Sequence, residues 1–312
     1  MQLTVSPFTA RDGENLALYQ WHREGSQDDF NPLTTYSQFK PRGVVLIVHG
    51  LGEYAERYEN VARKLIGWGF VVRSYDQRGH GRSDGQRGAI SNNSQLVDDL
   101  AEMVDEARLH SLPFPTTAGE LEALESTAPK LPLILLGHSM GGLIASNFVS
   151  LNIRPVEALV LSSPALDAGL SIVQKLLLAL ALKLAPNASV GNGLNVRFLS
   201  RDPQVVKDYQ ANRLVHNKIS PLLAQFIASA GPATIAAASR WIVPTLLMYA
   251  GADKLVSPQG SRRFAAKANA SVNVKRGTVT TQCFDDYFHE IFNEPDPAPV
   301  FYVLKTWLDE RF

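Results

Sequence analysis

The stretch LPLILLGHSMGGLIASNFV, residues 131–149, decides how the rest of the chain reads. Its first half is a short, continuous apolar run of the kind that forms a strand buried on both faces, and its second half carries on as a helix-like segment. Between them Gly137, His138, Ser139, Met140 and Gly141 spell G-x-S-x-G, with Gly142 next in line. A strand-to-helix turn that tight strains the serine backbone, and side chains two residues to either side would collide, so glycine is required there. The five-residue pattern alone would arise by chance in roughly one chain in ten of this length. The strand before it and the helix after it turn the pattern into a signal for an exposed nucleophile at a strand's C-terminal end.

Outward from this junction, strand-like runs stand at LTVSPFTA, NLALYQWH, GVVLIVHG, FVVRSYDQ, VEALVLSSPAL, PTLLMYAGAD and VTTQCFDDYF. Helix-like segments fall between the later ones, at RYENVARKLIGWG, NSQLVDDLAEMVDEARLH and SPQGSRRFAAKANA, and APVFYVLKTWLDERF closes the chain. This alternation, opening with a candidate hairpin, predicts an α/β fold: a mostly parallel eight-stranded sheet flanked by helices. Two stretches break the rhythm. Residues 111–130, rich in Pro and Thr, are expected to loop out at the surface. Residues 166–240 show helix-like segments and no convincing strand, which predicts a helical cap, residues 166–240, inserted in a core made of residues 1–165 and 241–312. Within the cap, LSIVQKLLLALALKLA is apolar on nearly every face. It reads equally as a buried core helix or as a lid helix facing acyl chains or a membrane, while Gln174, Lys175 and Lys183 argue against a membrane span.

The 312 residues are 45% hydrophobic and 19% charged, and thirty basic residues balance thirty acidic ones, so the composition points to a globular chain and away from nucleic acid. The single cysteine, Cys283, in the acidic setting TQCFDD, reads as a packing residue. With no basic, apolar leader at the start, a cytoplasmic address is expected. No metal-type cluster, phosphate-binding G-x-x-x-x-G-K loop or dinucleotide fingerprint is evident, so no cofactor is implied.

A serine hydroxyl is a poor nucleophile until a base takes its proton, and that base must be oriented by a third group. Downstream of Ser139 stand only His216, in the cap, and His289, just past the last strand-like run. His289 is the better base, because loops at strand C-terminal ends share one rim of an open sheet. Asp253 directly succeeds PTLLMYAGA and is preferred as the acid over Asp285 and Asp286, which lie too near His289 in sequence to reach its ring easily. The oxyanion would be held by the backbone N–H groups of Met140, next to the nucleophile, and of Leu51, in the loop after GVVLIVHG. His80, Glu53, Arg57 and Tyr58 are read as packing partners of these loops.

Together HGLGEYAERY, YDQRGHGRSDGQRG, GHSMGGLIA, SSPAL, GADKLVSP and FHEIFNE resemble the α/β-hydrolase superfamily, and within it the monoglyceride lipase and lysophospholipase group. The resemblance spans most of the chain. It implies Ser139, Asp253 and His289 as a triad, Leu51 and Met140 as oxyanion donors, and the insertion as a lid over an acyl tunnel. LSRDPQVVKDYQANRLVH begins like the family, then carries Asn212 and Arg213 where Asp-Pro is common. The expected activity is that of a cofactor-independent serine esterase acting on monoacylglycerol or another single-chain acyl lipid, with the cap available for peripheral membrane contact. Lysophospholipase, general carboxylesterase, thioesterase and peptidase activities use the same core, and a lipid-binding protein that had lost catalysis is the alternative outside the enzymes.

Overall fold

A computed structural model describes residues 1–22, 41–109, 131–270 and 278–312. The 111–130 stretch expected to loop out lies outside the described residues. All eight strand-like runs form strands of one sheet: β1 (Gln2–Thr9), β2 (Asn15–His22), β3 (Val44–Val48), β4 (Val71–Tyr75), β5 (Leu133–His138), β6 (Ala158–Ser162), β9 (Thr245–Ala250) and β10 (Val279–Phe284). Their order across the sheet is β1-β2-β4-β3-β5-β6-β9-β10. The opening hairpin pairs β1 with β2 antiparallel, and β2 joins β4 antiparallel. From β4 to β10 every pairing is parallel. Pro7, which has no N–H to give a ladder, lies on the edge strand β1.

The run VVLIV in β3 is buried throughout because helices cover both of its faces. Alternate residues divide between two cores. Val44, Leu46, Val48, Leu133, Leu135, Leu159 and Leu161 pack with α2 (Gln95–Leu109), α3 (Met140–Ser150) and α7 (Pro258–Asn269). Val45, Ile47, Ile134, Leu136, Val160, Leu246 and Met248 face α1 (Glu59–Gly67) and α8 (Ala298–Asp309). In α2 the apolar positions Leu96, Leu100, Met103, Val104 and Ala107 recur at helical spacing and are buried, with Arg108 in the last turn where it complements the helix dipole.

Between β6 and β9 the chain forms α4 (Ile172–Leu184), α5 (Pro203–Ala211) and α6 (Pro221–Ala237). It also forms a strand pair that the sequence does not announce: β7 (Val190–Gly191) runs antiparallel to β8 (Lys218–Ile219), two residues a side and apart from the main sheet. Helix α6 starts at Pro221 behind the Ser220 N-cap and buries Leu223, Phe226, Ala230 and Thr234. At Gly231 it lies against the Leu166 carbonyl, where a Cβ would come within 2.4 Å. Helix α4 is the converse. A capping box of Ser171 and Gln174 starts it, yet none of its residues is buried; Ile172, Leu176 and Leu184 are 78%, 67% and 75% exposed. The buried-core reading of this apolar run is thereby overturned: the helix is apolar nearly all round, and among the described residues it is only partly covered, on the side that meets α6.

Candidate active site

Ser139 stands between β5 and α3 with φ 53° and ψ −119°, in the left-handed region that costs a non-glycine residue of order 1–3 kcal/mol. Its neighbours hold it there. Its N–H donates to the Ser162 carbonyl at 3.0 Å, and the Ala165 N–H donates to its carbonyl at 2.9 Å, so SSPAL is the second jaw of the turn. The glycine requirement is steric, as the spacing predicts. A Cβ on Gly137 would sit 2.6 Å from the Gly141 carbonyl oxygen, and one on Gly141 would sit 2.0 Å from the Val48 oxygen.

The loops after β9 and β10 reach the same rim. The Ser139 hydroxyl donates to His289 Nε2 at 2.8 Å, and His289 Nδ1–H donates to Asp253 Oδ2 at 2.6 Å. The other Asp253 oxygen accepts the N–H groups of Leu255 and Val256 at 2.9 and 3.0 Å, which fixes the carboxylate and, through it, the imidazole tautomer. Burial alone pushes the His289 ring down, but the Asp253 carboxylate outweighs it and lifts the ring above its ordinary value. Burial raises Asp253 in turn, and its His289 and backbone donors outweigh that to hold it below the usual carboxylate range. His138 packs 4.8 Å from the His289 ring and is driven by burial and by that neighbour down to about 4, so it stays neutral beside it.

The loop after β3 brings Gly50 against Ser139, a Cβ there lying 3.1 Å from the Ser139 Cβ. Gly50 N–H is taken, donating to Glu53 Oε1 at 2.6 Å. Leu51 N–H donates to no acceptor among the described residues. The first amide of α3, that of Met140, starts a helix directly beside the Ser139 hydroxyl. Of the residues singled out in the sequence, Ser139, His289, Asp253, Leu51 and Met140 therefore meet at one place. His216 does not join them: its ring packs against His80 at 4.5 Å, and its Nδ1 accepts the Lys218 N–H at 3.1 Å. Asp285 accepts the Cys283 thiol at 3.2 Å, and burial together with that carboxylate pushes the thiol up, which suits a packing cysteine.

Arg57 and Glu53 pack with the loop as the sequence reading has it, but their link to Glu290 and the role of Asp76 escape that reading. Arg57 ties Glu53, at 2.5 Å, to Glu290, at 2.7 and 2.8 Å, so one guanidinium joins the β3–α1 loop to the loop carrying His289. Burial raises both carboxyls, and Arg57 more than compensates, holding each below its ordinary range. The visible hint is the glutamate in FHEIFNE. Asp76, fully buried after β4, accepts the Tyr19 hydroxyl and the Ala55 and Arg82 N–H groups at 2.7–2.8 Å and so fixes the floor of the loop cluster.

A cavity of about 460 Å³ opens over Ser139. Leu51, Leu194, Val196, Leu199, Val215, Leu255 and Val256 give it apolar walls, and Tyr209, Asn212, His216 and Asn217 give it a polar side. Most of the side facing away from the sheet comes from the segment between β6 and β9.

Comparison with known proteins agrees with this architecture. The family described as serine aminopeptidase, S33, matches residues 39–296. A monoacylglycerol lipase of Mycolicibacterium smegmatis is 33% identical over 272 residues, covering 86% of this chain and 88% of that protein. The phospholipase YtpA of Bacillus subtilis is 29% identical over 88% of this chain and 98% of its own length. The crystal structure of a monoacylglycerol lipase from Paleococcus ferrophilus superposes over the whole of both chains with a TM-score of 0.72 at 27% identity.

Proposed function

Because this chain belongs to the serine aminopeptidase S33 family of α/β-hydrolases, we propose that its cavity hydrolyses the ester of a monoacylglycerol-like lipid through an acyl-enzyme on Ser139. The observation that carries the reading is the unbroken hydrogen-bond chain from the Ser139 hydroxyl through His289 to Asp253, set at the base of a cavity that has apolar walls and a polar side. Ser139 Oγ attacks the ester carbonyl as its proton passes to His289 Nε2, and Asp253 steadies the resulting imidazolium. The N–H groups of Leu51 and Met140 receive the oxyanion. Collapse of the tetrahedral intermediate expels the alcohol, which takes the proton from His289. A water deprotonated by the same ring then attacks the acyl-enzyme and frees the fatty acid.

An ester substrate fits the cavity better than an amino-terminal peptide. Recognition of a free α-amino group calls for an uncommitted carboxylate, and the two that line this cavity, Glu53 and Glu290, are both engaged by Arg57. Residues 166–240 serve as a lid, since their Leu194, Val196, Leu199 and Val215 close the acyl side. The exposed apolar surface of α4, flanked by Lys175 and Lys183, docks this lid on a lipid surface from the cytoplasm, where a chain with one cysteine needs no disulfide.

The test compares 1- and 2-monoacylglycerols, lysophosphatidylcholine, an acyl thioester and an aminoacyl amide under one condition. Monoacylglycerols should be turned over fastest, and a fluorophosphonate should label the wild type and miss Ser139→Ala, whose rate falls by on the order of a million-fold. Preference for the aminoacyl amide, or turnover surviving in Ser139→Ala, refutes the reading.

A further inference from the structure

The part of the insertion that departs from the family pattern lies directly on the oxyanion loop. Helix α5 ends at Ala211 with Asn212 as its C-cap, and the chain then runs back across the β3–α1 loop. There the Asn212 amide donates to the Tyr54 hydroxyl at 2.5 Å, and the His216 N–H donates to the Gly52 carbonyl at 3.0 Å. Gly52, at φ 78°, fits this contact only because it lacks a side chain; a Cβ would lie 2.4 Å from the His216 carbonyl oxygen.

The ring of His216 continues the contact inward. It packs on His80 at 4.5 Å, and His80 packs on His49 at 5.4 Å. His49 is the ring that matters for the peptide beside it. Its Nε2 accepts the Gln77 N–H at 2.9 Å, so the ring proton is on Nδ1, which donates to the Gly50 carbonyl at 2.8 Å. That carbonyl and the Leu51 N–H belong to one planar peptide, so holding the oxygen toward His49 turns the N–H the opposite way. Packing chiefly holds the outer two rings on their inner sides, with the Gly79 backbone beside the His216 ring. His80 Nδ1–H donates to the Arg78 carbonyl at 3.0 Å, while the Nε2 atoms of His80 and His216 are buried without a hydrogen-bond partner. Burial and the neighbouring Arg87 push His216 down to about 4, and burial with His49 and His216 pushes His80 well below its ordinary value, so these two outer rings are uncharged.

We propose that His216 is a positioning residue: its N–H on Gly52 and its ring on the His80–His49 pair keep the Gly50–Leu51 peptide turned with its N–H toward the reacting carbonyl, so that oxyanion stabilisation requires the insertion to be seated. The assignment rests on the esterase reading above. It makes the insertion part of the transition-state machinery as well as a wall for the acyl chain.

The experiment measures kcat, KM and two inhibition constants, for an alkylboronic acid that forms a tetrahedral adduct on the serine and for a free fatty acid, in wild type, His216→Ala and His216→Phe. Loss of an oxyanion donor costs on the order of a hundred- to a thousandfold in kcat, and a loosened donor should cost less. His216→Ala is therefore expected to lose about ten- to a hundredfold in kcat, with KM within about threefold. Boronate affinity should fall in the same proportion and fatty-acid affinity should hold. His216→Phe keeps the N–H and the ring packing and should recover most of the loss. Kcat and boronate affinity within twofold of wild type in His216→Ala would overturn the assignment, as would a loss confined to KM or a Phe variant no better than Ala. A wild type that hydrolyses no ester and binds no boronate overturns the esterase reading itself, and this role with it.

Discussion

Removing Arg57 should reveal how much the loops carrying Glu53 and Glu290 depend on one cation. Its side chain is 11% exposed, and the carboxylates of Glu53 and Glu290, 4% exposed each, have no other cationic partner within salt-bridge distance among the described residues. Taking one partner from a buried pair costs about 3–5 kcal/mol, because the charge left behind is neither solvated nor paired. Here Arg57→Met leaves two such charges facing each other, so the upper part of that range applies at pH 8. In the wild type both carboxyls are held below their ordinary range, and the stability they contribute is present above that range and lost only as pH falls through the depressed values. In the variant the same groups are pushed above their ordinary range, so the folded state takes up protons more readily than the unfolded one, and the deficit should shrink from pH 8 to pH 5. Thermal melts should show a drop of roughly 6–15 °C at pH 8 and a smaller one at pH 5. Adding Glu53→Gln and Glu290→Gln to Arg57→Met should restore much of the loss, because the glutamine carbonyls still accept from Gly50 and Asn293. A deficit under about 1 kcal/mol, one independent of pH, or a triple variant less stable than the single one would refute the reasoning.

The same geometry sets further outcomes. His289 must be neutral to accept the serine proton, and its ring is lifted above its ordinary value, so kcat/KM should rise with pH through a midpoint above about 6.5; a midpoint below about 6 in initial-rate assays contradicts the Asp253 pairing. Gly141→Ala places a Cβ 2.0 Å from the Val48 oxygen, and it should abolish fluorophosphonate labelling or soluble expression, whereas Gly191→Ala, with open space around it, should change neither. Replacing Leu176 and Leu177 of α4 with Gln should weaken flotation with phospholipid vesicles severalfold and leave hydrolysis of a water-soluble short-chain ester within twofold; unchanged flotation removes α4 as the docking surface.

The sheet is readable from the chain because each parallel strand is a continuous apolar run, and the hairpin because NLALYQWH alternates. Ser139 is readable for a steric reason, since the turn tolerates nothing but glycine at 137 and 141. Asp253 and His289 are readable because both stand just past strands whose ends share one rim. Other features leave no local trace. Arg57 and Glu290 are 233 residues apart, and no spacing rule links them. An all-round apolar helix such as α4 has the same periodicity whether protein or lipid covers it, and exposure alone separates the two. The β7–β8 pair is too short for alternation to register. His216 looks like a rival base in the sequence because residue type is visible there and ring orientation is not.

Strands β6 and β9 are neighbours in the ladder, paired from Leu159 with Thr245 to Ser162 with Met248, and everything from residue 163 to 244 hangs between them as one long crossover. The register of the sheet is thus indifferent to what the crossover contains. A segment from a related hydrolase can be grafted there without re-threading a strand, provided it meets anchor points on the core such as the Gly52 carbonyl, which takes the His216 N–H, and the Gly88 carbonyl, which takes the Ser220 N–H at 2.7 Å. Chain-length preference should then travel with the graft while the bond-breaking apparatus stays with the host.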